Sequence, residues 1–205
     1  MEHTATRLGE FQHASEDSPI APTTYRDIEF LFRVLRGRGH EYEHYESSFE
    51  RTVSDVLIAE KINFLYEPLK FRIHESDKLR SWERTYTPDF LLNMRIDGKI
   101  VLVEAKGRKY FDDHIFTKYS LFMQQYSDRV YFIIITDMPD QSIVKRLCRQ
   151  EEHSEIANEI WNVSHIHQGY NWEEYEEKEK EFIRRKLKEL MEKPSVCMLR
   201  KKSLF

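Results

Sequence analysis

Residues 82–107, WERTYTPDFLLNMRIDGKIVLVEAKG, decide the fold of this chain. Two runs rich in β-forming residues flank Asp97-Gly98, a dipeptide that readily adopts the two positive φ angles of a tight type I′ turn. The pattern therefore predicts a β-hairpin in which Ile96 faces Lys99.

The predicted hairpin collects charged side chains on one of its faces. Counting outward from the turn places Asp89 opposite Lys106, with Glu104 on the neighbouring diagonal. Because strand side chains alternate between faces, Glu104 and Lys106 point the same way. The other face carries Val101, Val103 and Ala105. Opposed Cβ atoms are about 5 Å apart and diagonal ones about 7 Å, so two acids and a lysine can meet around one small ion. A β-bulge between these residues would shift this pairing by one residue.

This grouping is typical of metal-dependent phosphodiester hydrolysis. Two carboxylates and a strand carbonyl suit a hard cation such as Mg²⁺, which keeps water in its remaining positions and lowers the pKa of that water. A lysine beside the ion can orient or deprotonate the attacking water. The alternative is a surface hairpin whose Asp-Lys pair contributes on the order of a few tenths of a kcal/mol.

Length and composition favour a soluble, intracellular protein. The chain has 205 residues, enough for one α/β domain with extensions. It shows neither a signal peptide nor an apolar run of membrane-spanning length. Two cysteines, Cys148 and Cys197, are too few for a disulfide framework or a zinc site. We therefore expect a cytoplasmic, reducing location without membrane contact.

The charge balance limits how the protein could hold nucleic acid. Charged residues make up 33% of the chain, but the net charge is −4 and the isoelectric point is near 6.2. A broad basic surface is therefore not expected, although phosphate neutralisation supplies most non-specific affinity. Binding to DNA should be local, or assisted by a protein partner or a homodimer.

The chain divides into segments of different pattern. Residues 1–22 are predicted to be a flexible tail, 23–45 an N-terminal helical segment, 46–137 the core, and 138–205 a C-terminal extension with a charged helix. The core pattern predicts the order αβββαβ. Its elements are a helix that begins at Ser47 or Ser48, a strand over 63–74 with an irregularity at Pro68, the hairpin, a helix over 112–126 and a strand over 130–136. This last strand is expected to pair in parallel after the crossover helix.

In the extension, the patterns predict a helix over 141–151, an edge strand over 160–166 and a solvent-facing charged helix over 172–192. Glu50 lies in the first turn of the first core helix. It could complement the helix dipole there, or it could belong to the charged group of the hairpin.

Four short motifs in this order resemble the PD-(D/E)xK nuclease superfamily. They are SSFE, which contains Glu50, the YEP triplet at 66–68, YTPDF at 86–90 and VEAKG at 103–107. Within the superfamily they look most like TnsA-type transposon endonucleases and the head-completion nucleases of tailed phages. The resemblance covers about residues 45–137 and implies a restriction-endonuclease-like α/β core, a mixed sheet flanked by helices, with helical extensions at both ends.

The resemblance also implies roles for individual residues. Asp89 and Glu104 would bind Mg²⁺ or Mn²⁺, the carbonyl of Ala105 would add a ligand, Lys106 would handle the attacking water, and Glu50 would complete the acidic cluster. Two further lysines, Lys109 and Lys118, are expected to contact substrate phosphates.

The implied function is a metal-dependent DNA endonuclease that leaves 5′-phosphate ends. Two alternatives remain open. One is a non-catalytic binding or assembly subunit that retains the fold, which the acidic isoelectric point suggests. The other is an RNA nuclease, although the chain has no aromatic RNA-binding motif.

Overall fold

The computed structural model describes residues 45–73, 85–110, 112–147, 155–167 and 172–198. The flexible tail predicted for residues 1–22 lies outside these ranges, as does the predicted N-terminal helix. The described residues form an α/β structure in which helices cover both faces of a mixed sheet. None of the helices within the described ranges is long and apolar enough to cross a membrane.

The main sheet combines antiparallel and parallel pairing. Its strands are β1 (Phe64–Tyr66), β4 (Phe90–Ile96), β5 (Lys99–Lys106), β6 (Val130–Thr136), β7 (Glu159–Asn162) and β8 (Val196–Met198). The central path of the sheet is β1-β4-β5-β6-β7, and β8 pairs with the outer side of β4. The hairpin pair β4-β5 is antiparallel, whereas β5-β6 and β6-β7 are parallel. The predicted parallel pairing of the strand over 130–136 is confirmed. The edge strand predicted over 160–166 is present as β7, and it ends earlier.

Helices cover the two faces separately. Helix α2 (Asp113–Tyr126) packs on one face, where Phe116 and Phe122 join the cluster that contains Leu102. Helices α1 (Ser48–Ala59) and α4 (Trp172–Met191) pack on the other, with the cluster that contains Val101 and Val103. The predicted alternation of side chains along β5 is confirmed. Helix α3 (Asp140–Leu147) follows β6, and the rest of the helix predicted over 141–151 lies outside the described residues.

The strand predicted over 63–74 is in fact two short strands. After β1 the chain turns at Glu67, whose φ is +46°, and at Pro68, which has no N–H to donate to a sheet. It then forms β2 (Phe71–Arg72), which pairs with β3 (Thr85–Tyr86) in a small separate ribbon. The expected irregularity at Pro68 therefore ends the strand.

The hairpin turn is confirmed, but the predicted pairing of Asp89 with Lys106 is wrong. Asp97 and Gly98 have φ angles of +52° and +77°, and Ile96 faces Lys99 as predicted. The register then shifts between Leu92 and Arg95, so that farther from the turn the paired residue numbers sum to 193 instead of 195. Continuing this register places Asp89 beside Glu104. Because the shift is by two residues, each side chain keeps its predicted face.

Neighbouring strands on the outer side of β4 explain the position of this irregularity. Asn93 donates its N–H to the carbonyl of Asn63 at 2.9 Å, whereas Met94 pairs with Met198 of β8. The outer partner of β4 thus changes from β1 to β8 where its inner register shifts.

Helix α4 is not the mainly solvent-facing element that its charge pattern suggested. Ile183, Leu187 and Leu190 are fully buried against the sheet. Its charged side chains have partners on α1 and directly after it: Lys180 Nζ lies 3.4 Å from Asp55 Oδ2 of α1, and Arg184 Nε lies 2.9 Å from Oε1 of Glu60, the residue that follows the helix. The alternating charges therefore attach α4 to α1 as well as facing solvent.

Candidate functional site

The charged residues of the hairpin meet at one end of the main sheet. Since β4 and β5 are antiparallel, the beginning of β4 lies beside the end of β5. Asp89 immediately precedes β4, and its Oδ2 accepts a hydrogen bond of 2.7 Å from the N–H of Ala105. The structure therefore brings Asp89 next to Glu104 and Ala105, although through a different register from the one predicted.

Glu104 is a buried carboxylate whose two oxygens are each bound by a tyrosine. Tyr86 donates its hydroxyl to Oε2 at 2.7 Å, and Tyr119 of α2 donates its hydroxyl to Oε1 at 2.6 Å. Lys106 Nζ lies 3.6 Å from Oε1. A carboxylate with an exposed fraction of only 3% needs such partners, because burying a charge without them is costly.

The two tyrosines remain hydrogen-bond donors over the whole physiological pH range. Burial is the largest cause that raises the pKa of Tyr86 and of Tyr119, and the negative charge of Glu104 raises both further. A second negative charge on either hydroxyl would face Glu104 in a region with little water. Both hydroxyls therefore keep their protons.

Asp89 lies in an unfavourable place for a negative charge. Burial of its carboxyl raises the pKa well above the ordinary value, and repulsion from Glu104 raises it further; Glu50 also contributes repulsion. The Ala105 N–H and the Lys106 charge act in the opposite direction. A cation between these acids would relieve the repulsion, so the local electrostatics favour a bound positive charge.

Glu50 has a structural role that the sequence left open. It contributes to the cap at the start of α1, where Ser47 Oγ accepts from the Glu50 N–H at 3.1 Å and donates to Oε1 at 2.7 Å. Tyr66 donates its hydroxyl to the other oxygen, Oε2, at 2.6 Å. Because Glu50 also raises the pKa of Asp89, it helps to cap the helix and adds negative charge to the site.

Glu67 is a neighbour of the site that the sequence analysis missed. Its N–H donates to the Asp89 carbonyl at 2.8 Å. The registers of β1-β4 and β4-β5, when continued, place Glu67, Asp89 and Glu104 in one row across the sheet. Partial burial is the largest cause that raises the pKa of Glu67, and repulsion from Glu46, Glu50 and Glu104 raises it further. The only signal in the sequence was its position in the YEP triplet.

Tyr86 and Tyr119 were also missed as site residues. Tyr86 is part of the YTPDF motif, and the position of Tyr119 along its helix indicates an ordinary buried core residue. Each is buried as a core residue should be, and only the hydroxyl reaches the site.

The predicted phosphate-binding lysines lie on elements that follow β5. Lys109 is exposed in a short 3₁₀ helix (Arg108–Tyr110) directly after the strand. Lys118 is half-buried on α2, and its Nζ lies 5.5 Å from the centre of the Tyr86 ring. Because the Tyr86 hydroxyl binds Glu104, Lys118 is connected to the carboxylates through Tyr86.

The oxygen atoms at this end of the sheet are ligands of the type that a hard cation prefers. In the part of the chain that the structure describes, no three His, Cys, Asp or Glu side chains form a ready metal-ligand group. Mg²⁺, however, is commonly held by one or two carboxylates and keeps several waters. Asp89, Glu104 and the Ala105 carbonyl supply oxygen donors of this kind.

A further buried acid lies on α4. Glu179 is only 4% exposed and accepts a hydrogen bond from the hydroxyl of Tyr175. Burial raises its pKa to about 7; the Tyr175 hydrogen bond lowers it, and repulsion from Asp137 and Glu176 raises it. Asp137 follows β6 and accepts from the N–H of Arg108.

No protein-family model, curated protein or solved structure is significantly similar to this chain.

Proposed function

We propose that this protein is a Mg²⁺- or Mn²⁺-dependent DNA endonuclease of the restriction-endonuclease-like type. The observation that carries the proposal is the contact between Asp89 and the Ala105 N–H, which joins the two acids and Lys106 at one sheet end. The two crowded carboxylates repel each other, and a bound cation would offset this repulsion.

Each residue has a distinct role in this proposal. Asp89, Glu104 and the Ala105 carbonyl would hold the ion, which when bound would lower the pKa of its water and offset charge on the phosphate. Lys106, which lies beside Glu104, would orient the attacking water through a hydrogen bond or, as a neutral amine, accept the proton that this water loses. Lys109 and Lys118 would bind substrate phosphates.

The direct test is cleavage of several nucleic acids by the full-length chain. Supercoiled plasmid, linear duplex, branched DNA and single-stranded RNA are incubated with Mg²⁺, Mn²⁺ or EDTA. We expect nicking of DNA with either metal and none with EDTA, and fragments with 5′-phosphate ends. Cleavage of RNA alone would replace the DNA assignment with an RNA nuclease.

One observation favours a second candidate, a non-catalytic binding or assembly subunit. Both oxygens of Glu104 already accept tyrosine hydroxyls, which is how a core carboxylate is stabilised in a purely structural setting. The same assay separates the candidates, since this subunit would bind DNA or a partner protein without cleaving any substrate.

The net charge of −4 bears on how DNA would be held. Local lysines must supply the attraction, and dimerisation or a DNA-binding partner would raise the effective concentration at the site.

Lys118 provides a measurable local contact. Lys118→Ala is expected to weaken duplex binding and to reduce the slope of log affinity against log salt by about one unit, because one phosphate contact is lost. Fluorescence anisotropy with a labelled duplex over a series of KCl concentrations measures this slope. Lys99→Ala, at the opposite end of β5, is the matched control. An unchanged slope in Lys118→Ala would exclude the phosphate contact.

A further inference from the structure

The tyrosines that bind Glu104 approach it from two different elements. Tyr86 belongs to β3 of the small ribbon, and Tyr119 belongs to α2. Their hydroxyls bind opposite oxygens of the same carboxylate. Glu104 cannot turn about its last bond without breaking one of these hydrogen bonds.

Both rings are themselves fixed by aromatic packing. Their centroids are 5.5 Å apart, and each lies within 6 Å of the Phe132 ring, at 5.9 Å for Tyr86 and 5.5 Å for Tyr119. Tyr86 also meets Phe122 edge to face at 4.8 Å. Close-packed rings of this kind have little freedom to move. The hydroxyls therefore form a rigid support for the carboxylate.

The two tyrosine hydroxyls do not use all the acceptor positions of Glu104. Each carboxylate oxygen has two acceptor positions, and each tyrosine occupies one of them. The remaining positions are available to Lys106 and to an ion near Asp89. The tyrosines and a bound ion are therefore compatible.

We propose that Tyr86 and Tyr119 are positioning residues that hold Glu104 in the orientation required for metal binding. This inference rests on the proposed function, since it assigns Glu104 as a metal ligand. Hydrogen-bonding partners of metal ligands commonly change metal affinity by about 10- to 100-fold when they are removed. A tyrosine that only filled the core would not influence the ion in this way.

The test is Mn²⁺ binding by the full-length chain, measured by titration calorimetry without nucleic acid. Tyr86→Phe and Tyr119→Phe keep the ring and remove the hydroxyl. Each is expected to weaken Mn²⁺ binding about tenfold or more. In cleavage assays, the metal concentration for half-maximal rate should rise, whereas kcat at saturating metal should change much less.

Tyr126→Phe is the matched control. Tyr126 is a buried tyrosine of the same aromatic cluster, and its hydroxyl donates to the Arg72 carbonyl at 2.7 Å, not to a carboxylate. Its Mn²⁺ affinity should equal that of the wild type. Thermal unfolding identifies folded variants, and if one tyrosine variant does not fold, the other provides the test.

The outcomes distinguish this inference from the proposed function. Unchanged Mn²⁺ affinity in a folded Tyr86→Phe or Tyr119→Phe, or an equal loss in Tyr126→Phe, overturns the positioning role even if the wild type cleaves DNA. Weakened binding in the two variants together with no cleavage by the wild type would support the positioning role and reject the nuclease. A wild type that binds no Mn²⁺ rejects both.

Discussion

Replacing Asp89 with Asn, Glu104 with Gln or Lys106 with Ala should each lower the rate of metal-dependent DNA cleavage by roughly a thousandfold or more. That loss corresponds to about 4 kcal/mol of transition-state stabilisation, which is a reasonable contribution for a metal ligand or a residue that positions the attacking water. Plasmid nicking at saturating Mg²⁺ measures the effect.

The fold should survive these changes. Burial and repulsion from Glu104 raise the pKa of the Asp89 carboxyl, so its negative charge is unfavourable in the folded protein. Asp89→Asn removes that charge, and the variant should be at least as stable as the wild type near neutral pH. Lys106 is half-buried, and its loss leaves no cavity in the apolar core. Asp128→Asn, in the exposed turn before β6, is the matched control and should cleave normally. Nicking at the wild-type rate by any two of the three variants would reject the assignment.

Glu179→Gln is expected to change the pH dependence of stability. The folded protein holds the Glu179 proton with a pKa of about 7, compared with an ordinary value of 4.5. Folding therefore favours the protonated acid. The contribution of this group to stability is fully present below about pH 4.5 and is lost as the pH rises towards 7 and above, by up to about 3 kcal/mol at 1.36 kcal/mol per pKa unit.

The amide that replaces the Glu179 carboxyl in this variant would still accept the Tyr175 hydrogen bond but would not titrate or repel Asp137. The variant should thus be more stable than the wild type at pH 8 and nearly equal to it at pH 4. Urea unfolding across this pH range measures the difference. Glu177→Gln is the control, because the Glu177 side chain is 76% exposed on the same helix. Parallel pH profiles for the wild type and Glu179→Gln would contradict the prediction.

Local sequence signals determined much of the fold correctly. The Asp97-Gly98 turn follows from the positive φ angles that these residues tolerate, and the faces of β5 follow from strict alternation along a strand. The start of α1, predicted at Ser47 or Ser48, follows from Ser47, whose side chain caps the helix by accepting from the Glu50 N–H. These features depend on neighbours within a few residues, so the sequence contains all the information that they need. The same alternation put Glu104 and Lys106 on one face.

The tertiary structure alone decided the register beside Asp89 and the partners of the acids. The shift in β4 occurs where Met94 pairs with Met198, more than a hundred residues later, and no local pattern encodes that pairing. Tyr119 looks like an ordinary core residue of α2 until packing brings its hydroxyl to Glu104. Glu179 likewise resembles the other acids of α4 in sequence, and only the folded structure shows the burial that is the largest cause of its raised pKa. Turn and helix-cap conformations depend on neighbouring residues. Strand register, desolvation and hydrogen-bond partners depend on residues that are distant in the chain.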